Sequence, residues 1–436
     1  MTKDTIIFFG LGAVGSSMLI CLAELAERDG QPIRFVVFVQ KVESAHDQLF
    51  HAEYLFERID FVSVSDFSQL WEENSKFQSY YDRALVLVNV ATPAFNEPIL
   101  TLASRCGIHA VDLASDMYDD ETQRTLSFKQ YKHENALKEK KVAALINLGI
   151  SPGITNFLVG GRIHDILAQG RRDLTIERVD LYLLEDIDSD EVVFSWSPVV
   201  ALEELAQRPR IIENGRIVAL EPFSSPRDYQ FPHESQATRV YPLYQEELLS
   251  FHRAFPDIPA IGVWTGGAEV ELVKSLFKLN LLSKRSIDAQ PGVTVESVVR
   301  AIMPGMNKPR RIEDYLRSEV IRRAHFAAAA EIRVSEQVRN DRQTLIETVG
   351  ISYHRYRGLL DTPYAGATYI SFPTGVGAAI LLWHTLEQAR QQEGSIVGVL
   401  SGEDLARIMP RYRFEAVKRD LVAWDIDLFD SVRDAR

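Results

Sequence analysis

Cysteine is scarce in this chain, since its 436 residues include only Cys21 and Cys106. Two cysteines are too few for a disulfide framework or a zinc–cysteine cluster, and their scarcity favours a reducing, cytoplasmic setting. An excess of positive charge is also missing, because 61 acidic residues outnumber 48 Lys and Arg and give a formal net charge of -13. We therefore expect no nucleic-acid partner, since phosphate binding needs a positive field.

Histidines at metal-binding spacing are missing as well. His233 and Glu234 in "FPHESQ" lack the helical spacing of metal motifs, and the other histidines are scattered. We therefore predict no metal site. Low-complexity tracts are also absent, and 46% of the residues are apolar, as in folded globular proteins. At this length we expect two or three domains.

One run without charge, "IIFFGLGAVGSSMLICLA" at residues 6–23, has the length of a membrane span or a signal peptide. A secretory signal needs a basic leader and a cleavage site, whereas Lys3 is offset by Asp4 and the run continues into "ELAERDG". Three glycines also interrupt the run. We expect no membrane association and look for another use of these glycines.

The glycines lie between a predicted strand, "TIIFF", and a predicted helix, "SSMLICLAELAERDG". The stretch "GLGAVG" matches G-x-G-x-x-G, in which the first glycine permits a tight turn, the second lets the backbone approach a pyrophosphate and the third lets the helix pack on the strand. The helix N-terminus would attract the phosphates. A glycine-tolerant buried turn is the alternative. The predicted cofactor-binding residues are Gly10, Gly12, Ala13, Val14 and Gly15.

The end of the second predicted strand, "IRFVVFVQ", bears on the choice of cofactor. An NAD site typically places Asp or Glu there for the ribose hydroxyls, whereas this chain has Gln40 and Lys41. NADP is therefore favoured, with NAD possible, and Lys41 is the candidate to hold the 2′-phosphate. A solvated surface lysine is the alternative.

Further along, "RALVLVNVATPAFNEPILTLASRCGIHAVDLAS" repeats the order strand, loop, helix, strand, and its helix ends at Gly107. Because these strands are apolar throughout, they predict a doubly wound parallel sheet, the Rossmann fold. Loops at the carboxyl ends of such strands hold the ligand. The residues expected to line the cofactor crevice are Asn89, Ala91, Thr92, Asp112 and Ser115.

The second part of the chain has a different pattern. "ERVDLYLLEDID", "AEIRVSEQV" and "TLIETVGISYH" alternate as half-exposed strands do, which predicts a mixed sheet. Residues 243–325 are predicted to be mostly helical, including "IEDYLRSEVIRRAHFAAA" near their end. The predicted parts of this α/β protein are a Rossmann domain at 1–148, an α+β mixed-sheet substrate domain at 149–242 and 326–374, a helical insertion at 243–325, and C-terminal helices at 375–436 that return toward the Rossmann domain.

Seven separated motifs follow one another along the chain: "GLGAVGSSML", "VNVATPAFNEPILTLASRCGIHAVDLAS", "NLGISPGITN", "FSWSPVVALEEL", "VYPLYQEEL", "FPTGVGAAILL" and "VGVLSGEDL". In this order they resemble the saccharopine dehydrogenase family over nearly the whole chain. The resemblance implies a mixed-sheet domain used for catalysis and dimerisation, and usually a homodimer. It also implies hydride transfer between a nicotinamide cofactor and a C=N bond that joins an amine or amino acid to a carbonyl compound.

Two departures from the family bear on the substrate. Saccharopine reductases resemble "GLDPG" where this chain has "GISPG", so Ser151 replaces the acid that would face the substrate amine. They resemble "SWSSRG" where this chain has "SWSPVV", which removes an arginine suited to clamp a carboxylate. The similarity is closer to the carboxynorspermidine-like branch. Homospermidine-synthase-like aminobutyl transfer with internally recycled NAD, and a non-catalytic NADP-binding regulator, are the alternatives.

The protein must position a proton or positive charge at nitrogen while the cofactor supplies the hydride. Asp116 could hold an amine, Trp196 could meet a cation face-on, and Tyr241 could donate to nitrogen or a carboxylate. Each has a structural alternative: an acidic helix start, interface packing or a loop-anchoring tyrosine. Ser151 and Asn156 are expected near the substrate, with helix capping as the alternative for Asn156.

Overall fold

The computed structural model divides the chain into two compact units. The first consists of Met1–Asp165, Leu359–Ala367 and Ser371–Ile426, and the second of Ile166–Gly358, Thr368–Ile370 and Asp427–Arg436. The structure describes residues 3–72, 76–115, 117–118, 127–169, 174–194, 202, 205–243, 245–287, 290–302, 312–338, 341–392 and 394–434.

The β-strands span both units. In chain order they are β1 (Thr5–Phe9), β2 (Arg34–Val39), β3 (Ile59–Ser63), β4 (Ala84–Asn89), β5 (His109–Asp112), β6 (Met117–Tyr118), β7 (Ser127–Phe128), β8 (Ala143–Leu145), β9 (Leu174–Ser189), β10 (Arg210–Glu213), β11 (Arg216–Ala219), β12 (Arg227–Tyr229), β13 (Thr238–Pro242), β14 (Ile261–Gly266), β15 (Ser286–Ile287), β16 (Gln290–Thr294), β17 (Ile321–Val338), β18 (Asp341–Tyr353), β19 (Gly398–Leu400) and β20 (Asp427–Asp434).

The α-helices are α1 (Ala13–Arg28), α2 (Val42–Gln48), α3 (Gln78–Tyr81), α4 (Asn96–Cys106), α5 (Glu134–Glu139), α6 (Ile154–Ala168), α7 (Glu247–Ala254), α8 (Ala268–Lys278), α9 (Val295–Ile302), α10 (Ile312–Arg317), α11 (Ser371–Gln391), α12 (Gly402–Ile408) and α13 (Arg411–Ala423). Short 3₁₀ helices occur at Phe50–Arg58, Phe67–Leu70, Pro93–Phe95, Lys129–His133 and Tyr356–Leu359. Within the described part of the chain, no helix combines the length and the apolar character needed to cross a bilayer.

Seven parallel strands form the sheet of the first unit, in the order β19-β8-β5-β4-β1-β2-β3. The strands are apolar because helices cover the sheet, and every residue of β1 is buried. From β1 the chain builds outward to β3 and then returns to add β4 on the other side of β1. This reversal makes the sheet doubly wound, as predicted, and places the ligand-binding edge at the carboxyl ends of β1 and β4.

Most of the C-terminal part of the chain, Ser371–Ile426, belongs to the first unit. Helix α11 packs so closely on α1 that a Cβ at Gly375 would lie 2.5 Å from the carbonyl oxygen of Val14. Strand β19 extends the parallel sheet beside β8. The last strand differs from the predicted helices, because β20 pairs with β18 in the second unit.

Nine strands form the mixed sheet of the second unit. The main path is β11-β10-β14-β9-β17-β18-β20, and β13 joins β12 to β14. Only the pairing of β14 with β9 is parallel among these described strands. A core cluster covers part of one face and contains Tyr182, Leu184, Tyr229, Phe231, Val240, Trp264, Ala327 and Ala329. The sheet confirms the predicted mixed architecture.

The alanine-rich stretch before residue 330 corrects one prediction. The sequence pattern predicts helix over "IEDYLRSEVIRRAHFAAA", yet α10 ends at Arg317 and β17 begins at Ile321. Ala327 and Ala329 are fully buried in the cluster that contains the Tyr182 and Tyr229 rings, which stack 3.7 Å apart. The packing of β17 between β9 and β18 outweighs the helix propensity of alanine, because the small alanine side chains fit beside these large rings.

Two predicted boundaries also change. Residues 243–325 contain α7 to α10, but they also contain β14, which lies between β10 and β9 in the mixed sheet. This range is therefore not a separate helical insertion. The first unit continues to Asp165 instead of ending at 148, because α6 follows the parallel sheet before the chain enters the second unit.

Candidate cofactor-binding site

The glycine-rich turn lies at the carboxyl end of β1, where the strand order reverses. Gly10 has a φ of +83°, and a Cβ there would lie 2.8 Å from the Cβ of Ala91. A Cβ at Gly15 would lie 2.8 Å from Cγ2 of Val90. Gly10 therefore serves the tight turn and Gly15 the close packing of α1 on the segment after β4.

Gly12 is different because the space around it is open. It is exposed, and no atom lies within 4 Å of the position its Cβ would take. Gly12 is the N-cap residue of α1 and offers no side-chain cap, whereas the first N–H groups of a helix have no partner within the helix. The backbone of Ala13 and Val14 thus forms a cradle that a Cβ would fill, and this cradle fits a pyrophosphate.

The residues after β2 lie at the neighbouring corner of the sheet. Gln40 and Lys41 are both exposed, and the hydroxyl of Ser63 donates to the carbonyl oxygen of Gln40 at 3.1 Å. This hydrogen bond fixes the corner against the end of β3. The strand end carries an amide and an ammonium group in place of the acid that binds ribose hydroxyls in typical NAD sites.

A pair of buried asparagines shapes the loops that border the glycine turn. Nδ2 of Asn89 donates to Oδ1 of Asn96 at 2.6 Å and to the carbonyl oxygen of Thr92 at 2.8 Å. Oδ1 of Asn89 accepts from the N–H of Ala91 at 3.2 Å, and Nδ2 of Asn96 donates to the carbonyl oxygen of Ala114 at 2.8 Å. The amide of Asn89, a predicted cofactor contact, thus orders the loop, and Asn96 joins the loops after β4 and β5.

Asp112 lies at the end of β5 and is only 4% exposed. Its Oδ1 accepts from the N–H of Asn147 at 2.9 Å, and its Oδ2 accepts from Nε2 of Gln130 at 3.2 Å. The same Nε2 donates to the hydroxyl of Ser115 at 2.9 Å. Burial raises the pKa of Asp112 to about 7, against the opposing effect of these hydrogen bonds. Asp112 and Ser115, predicted as cofactor contacts, therefore form one buried network that gains or loses a proton near neutral pH.

Asn147 was not found by sequence analysis. It follows β8, is 2% exposed and has a φ of +56°. Neither atom of its side-chain amide has a hydrogen-bond partner among the described residues. Buried amides are seldom left unpaired, so Asn147 is a candidate ligand contact. Asn147 is the first residue of the motif "NLGISPGITN", but nothing in that motif singles it out from its neighbours.

The predicted substrate residues Ser151 and Asn156 lie in and after a tight turn of the first unit. The Ser151–Pro152 peptide bond is cis, and Asn156 is 1% exposed. Oδ1 of Asn156 accepts from the N–H of Gly153 at 3.0 Å, and its Nδ2 donates to Oε1 of Glu403 at 2.7 Å. Both amide atoms therefore bind protein groups, which favours the structural alternative for Asn156.

Replacing Asn156 with alanine is expected to lower the free energy of unfolding by about 1–3 kcal/mol, because it leaves buried polar groups without a partner. The affinity for NADPH, measured by quenching of tryptophan fluorescence, should not change. Asn135→Ala, on the exposed face of α5, is the control and should change stability by less than about 0.5 kcal/mol. Full stability of Asn156→Ala together with lost turnover would instead assign Asn156 to the substrate.

The predicted catalytic residues are only partly covered by the structure. Asp116 and Trp196 lie outside the described residues. Tyr241 lies on β13 of the second unit, where its hydroxyl donates to Oε1 of Glu271 at 2.9 Å and accepts from Nζ of Lys274 at 2.6 Å. Burial by itself would lower the pKa of Lys274, but the hydrogen bonds to Glu271 and Tyr241 raise this pKa above its usual value. Tyr241 is thus held between a carboxylate and an ammonium group.

A second set of potential ligands lies in the second unit and has no sequence signature. Glu234, His325 and His354 are far apart in the chain, yet each offers one metal-binding atom and these atoms lie within 4.8 Å of one another. The prediction of no metal site rested on local spacing. Local spacing carries no signal for a cluster assembled by strand pairing.

Comparison with known proteins gives one partial sequence match, and no family model matches the chain. Carboxyaminopropylagmatine dehydrogenase from Synechocystis sp. (strain ATCC 27184 / PCC 6803 / Kazusa) is 22% identical over 185 residues. The match covers 41% of this chain and 43% of that protein, so it spans less than half the length of this relative.

The similarity of the fold extends over the whole chain. The apo saccharopine dehydrogenase (L-Glu forming) of Saccharomyces cerevisiae superposes with a TM-score of 0.66 at 14% identity, over 99% of this chain and 100% of that chain. The two proteins share a fold made of a doubly wound parallel sheet and a mixed sheet. The structural match shows a saccharopine dehydrogenase-like fold, and the partial sequence match agrees with the family that the motifs resemble.

Proposed function

We propose that this protein is an NADP-dependent oxidoreductase that reduces or oxidises a C–N bond between an amine or amino acid and a carbonyl compound. One observation carries the proposal: the turn at Gly10–Gly15 stands at the reversal point of a doubly wound sheet and leaves an open cradle at Gly12. This geometry suits the pyrophosphate of a dinucleotide. The saccharopine dehydrogenase-like fold supports the C–N class of reaction.

The preference for NADP is supported by the corner after β2. Gln40 and Lys41 are exposed there, and neither carries the negative charge that would repel a 2′-phosphate. The Lys41 ammonium supplies a compensating positive charge. We therefore expect NADPH to be used in preference to NADH.

In the proposed reaction, the bound nicotinamide supplies or accepts the hydride. The N–H groups at the start of α1 hold the pyrophosphate, and the loop organised by Asn89 and Asn96 borders it. We assign Asp116 and Trp196 to binding of the amine, through a carboxylate–ammonium pair and a cation–π contact respectively. Tyr241 is the proposed hydrogen-bond donor to nitrogen or a substrate carboxylate, for which its hydroxyl proton turns from Glu271 to the substrate. We also propose a homodimer, as the family resemblance implies.

The substrate class is proposed to be a polyamine or a related amine joined to a carboxylate-bearing carbonyl compound. Ser151 stands where saccharopine reductases place an acid, and an arginine of their "SWSSRG" motif is missing, which argues against saccharopine itself. The curated relative is named for carboxyaminopropylagmatine, which joins a carboxyaminopropyl group to agmatine. Both observations favour an amine partner such as a diamine or agmatine.

The test is NADPH consumption by the purified protein over a matrix of substrates. The amines are diaminopropane, putrescine, agmatine and lysine, and the carbonyl compounds are aspartate semialdehyde, 2-aminoadipate semialdehyde and simple keto acids. We expect turnover with a diamine or agmatine plus aspartate semialdehyde, and slower turnover with NADH. NADPH binding without consumption for any pair would contradict the enzymatic proposal. Transfer of an aminobutyl group without net consumption would support internally recycled cofactor instead.

A further inference from the structure

Three potential metal ligands meet at one end of the mixed sheet. His325 lies on β17, and His354 is the first residue after β18. Because Phe326 pairs with Tyr353 in these antiparallel strands, the two histidines stand side by side. Glu234 joins them from the loop that follows β12. None of these residues takes part in the glycine-rich cradle.

The distances match those of a small coordination site. Nδ1 of His325 and Oε1 of Glu234 are 2.9 Å apart, slightly less than the separation of about 3.3–3.6 Å between two tetrahedral ligands bound to one ion at about 2.0–2.2 Å each. The rings of His325 and His354 have centroids 3.8 Å apart, with an interplanar angle of 25°. One atom from each of the three residues thus lies within 4.8 Å of the others.

His325 lacks the hydrogen bonds that a buried imidazole normally makes. Its side chain is 2% exposed, and neither ring nitrogen has a hydrogen-bond partner among the described residues. The 2.9 Å contact between Nδ1 and Glu234 does not have the angle of a hydrogen bond. A cation bound between the imidazole nitrogen and the carboxylate would satisfy both groups, whereas an unpaired buried polar group costs free energy.

Charged side chains of both signs surround the cluster. Arg323 competes for Glu234 from 3.8 Å, but its guanidinium also binds Asp186 at 2.6 Å. Asp427 adds negative charge near His354.

We propose that Glu234, His325 and His354 form a binding site for a divalent transition-metal ion, with Zn²⁺ as the preferred occupant. Two imidazoles and one carboxylate are a ligand set typical of zinc, and they leave a fourth position for water or another ligand. Parallel rings cannot direct in-plane lone pairs at one ion, so His354 turns out of its stack with His325 on binding. His354 is exposed, so its ring is not confined in the core. The ion ties the loop of Glu234 to the ends of β17 and β18.

The test uses full-length protein without an affinity tag, stripped with a chelator and titrated with Zn²⁺ by calorimetry. One equivalent is expected to bind. His354→Ala and Glu234→Gln should each weaken binding by on the order of 100-fold. Losing a residue that hydrogen-bonds to a metal ligand already weakens binding about 10–100-fold, and losing the ligand itself should cost at least as much. Co²⁺ should give the visible absorption bands of a four-coordinate ion, and both variants should lose them. These readouts do not depend on the proposed enzymatic function.

Two control variants separate coordination from general attraction. Asp427→Asn removes a nearby negative charge but no proposed ligand, and His46→Ala removes an exposed histidine of the first unit. Both should bind Zn²⁺ within about threefold of the wild type. The proposal is overturned if Zn²⁺ does not bind, if His354→Ala and Glu234→Gln bind as the wild type does, or if Asp427→Asn weakens binding as much as they do. His354→Ala changes an exposed residue, so loss of folding does not obscure the result.

Discussion

Replacing Gly12 with valine is expected to weaken NADPH binding by on the order of 100-fold while leaving the fold intact. The new side chain would enter the open space where the pyrophosphate is proposed to lie and block N–H donors at the start of α1. Each hydrogen bond to a charged group contributes about 1.5–3 kcal/mol, so losing one or two of them gives a change of this size. The measurement is the dissociation constant of NADPH, together with the melting temperature of the variant.

Gly366→Val is the matched control for this experiment. Gly366 is also in the first unit, is exposed, has no positive φ and has no atom within 4 Å of the position of its Cβ. Its replacement should change neither NADPH affinity nor melting temperature. If Gly12→Val binds NADPH as tightly as Gly366→Val does, the cradle at Gly12 does not hold the pyrophosphate.

The second large effect is expected from Asp112→Asn and depends on pH. Burial raises the pKa of Asp112 from 3.8 to about 7. At a pH between these two values, the carboxyl group keeps its proton in the folded state but has lost it in the unfolded state. The free energy of unfolding of the wild type therefore falls as pH rises from about 4 to 7. The asparagine variant lacks this titration. Relative to wild type, its free energy of unfolding should rise by on the order of 4 kcal/mol across this range.

The measurement is the difference in unfolding free energy between variant and wild type in urea at several pH values. In the Asp112→Asn variant, the new amide oxygen can still accept from the N–H of Asn147. The new NH₂ group can donate to Oε1 of Gln130, which has no hydrogen-bond partner among the described residues. Asp82→Asn, at an exposed position, should give a difference that does not vary with pH by more than about 0.5 kcal/mol. A constant difference for Asp112→Asn would show that this carboxyl group does not titrate near neutral pH in the folded protein.

Much of the fold was predictable because local patterns and tertiary structure agree. The run "TIIFF", the glycine turn and the following helix form β1, the turn and α1 as predicted, since a short apolar run that ends at a glycine turn indicates a buried strand and helical spacing of apolar residues indicates a helix. The prediction fails at Ala327 and Ala329, where alanine favours helix locally but lies against stacked tyrosine rings in a strand. Strand β14 was missed within residues predicted to be mostly helical, because its place between β10 and β9 depends on distant pairing.

The candidate site residues also differ in whether the sequence alone could predict them. The glycines of the cradle could be predicted because their spacing along the chain is itself the structural requirement. Asn96 and Gln130 could not, since their partners lie in other loops of the sheet and only folding brings them together. The cluster of Glu234, His325 and His354 depends on the register of β17 against β18. The spacing of these residues in the sequence does not indicate this register.

The most direct test of the central proposal is transfer of deuterium from NADPH labelled at C4 of the nicotinamide ring. The label is placed on each face in turn, and the amine and carbonyl pair that consumes NADPH serves as substrate. The proposal predicts that one labelled face delivers deuterium to the carbon bonded to nitrogen, with one equivalent of NADP⁺ formed per product. A product that carries no deuterium from either face, or that forms without oxidation of NADPH, would contradict it.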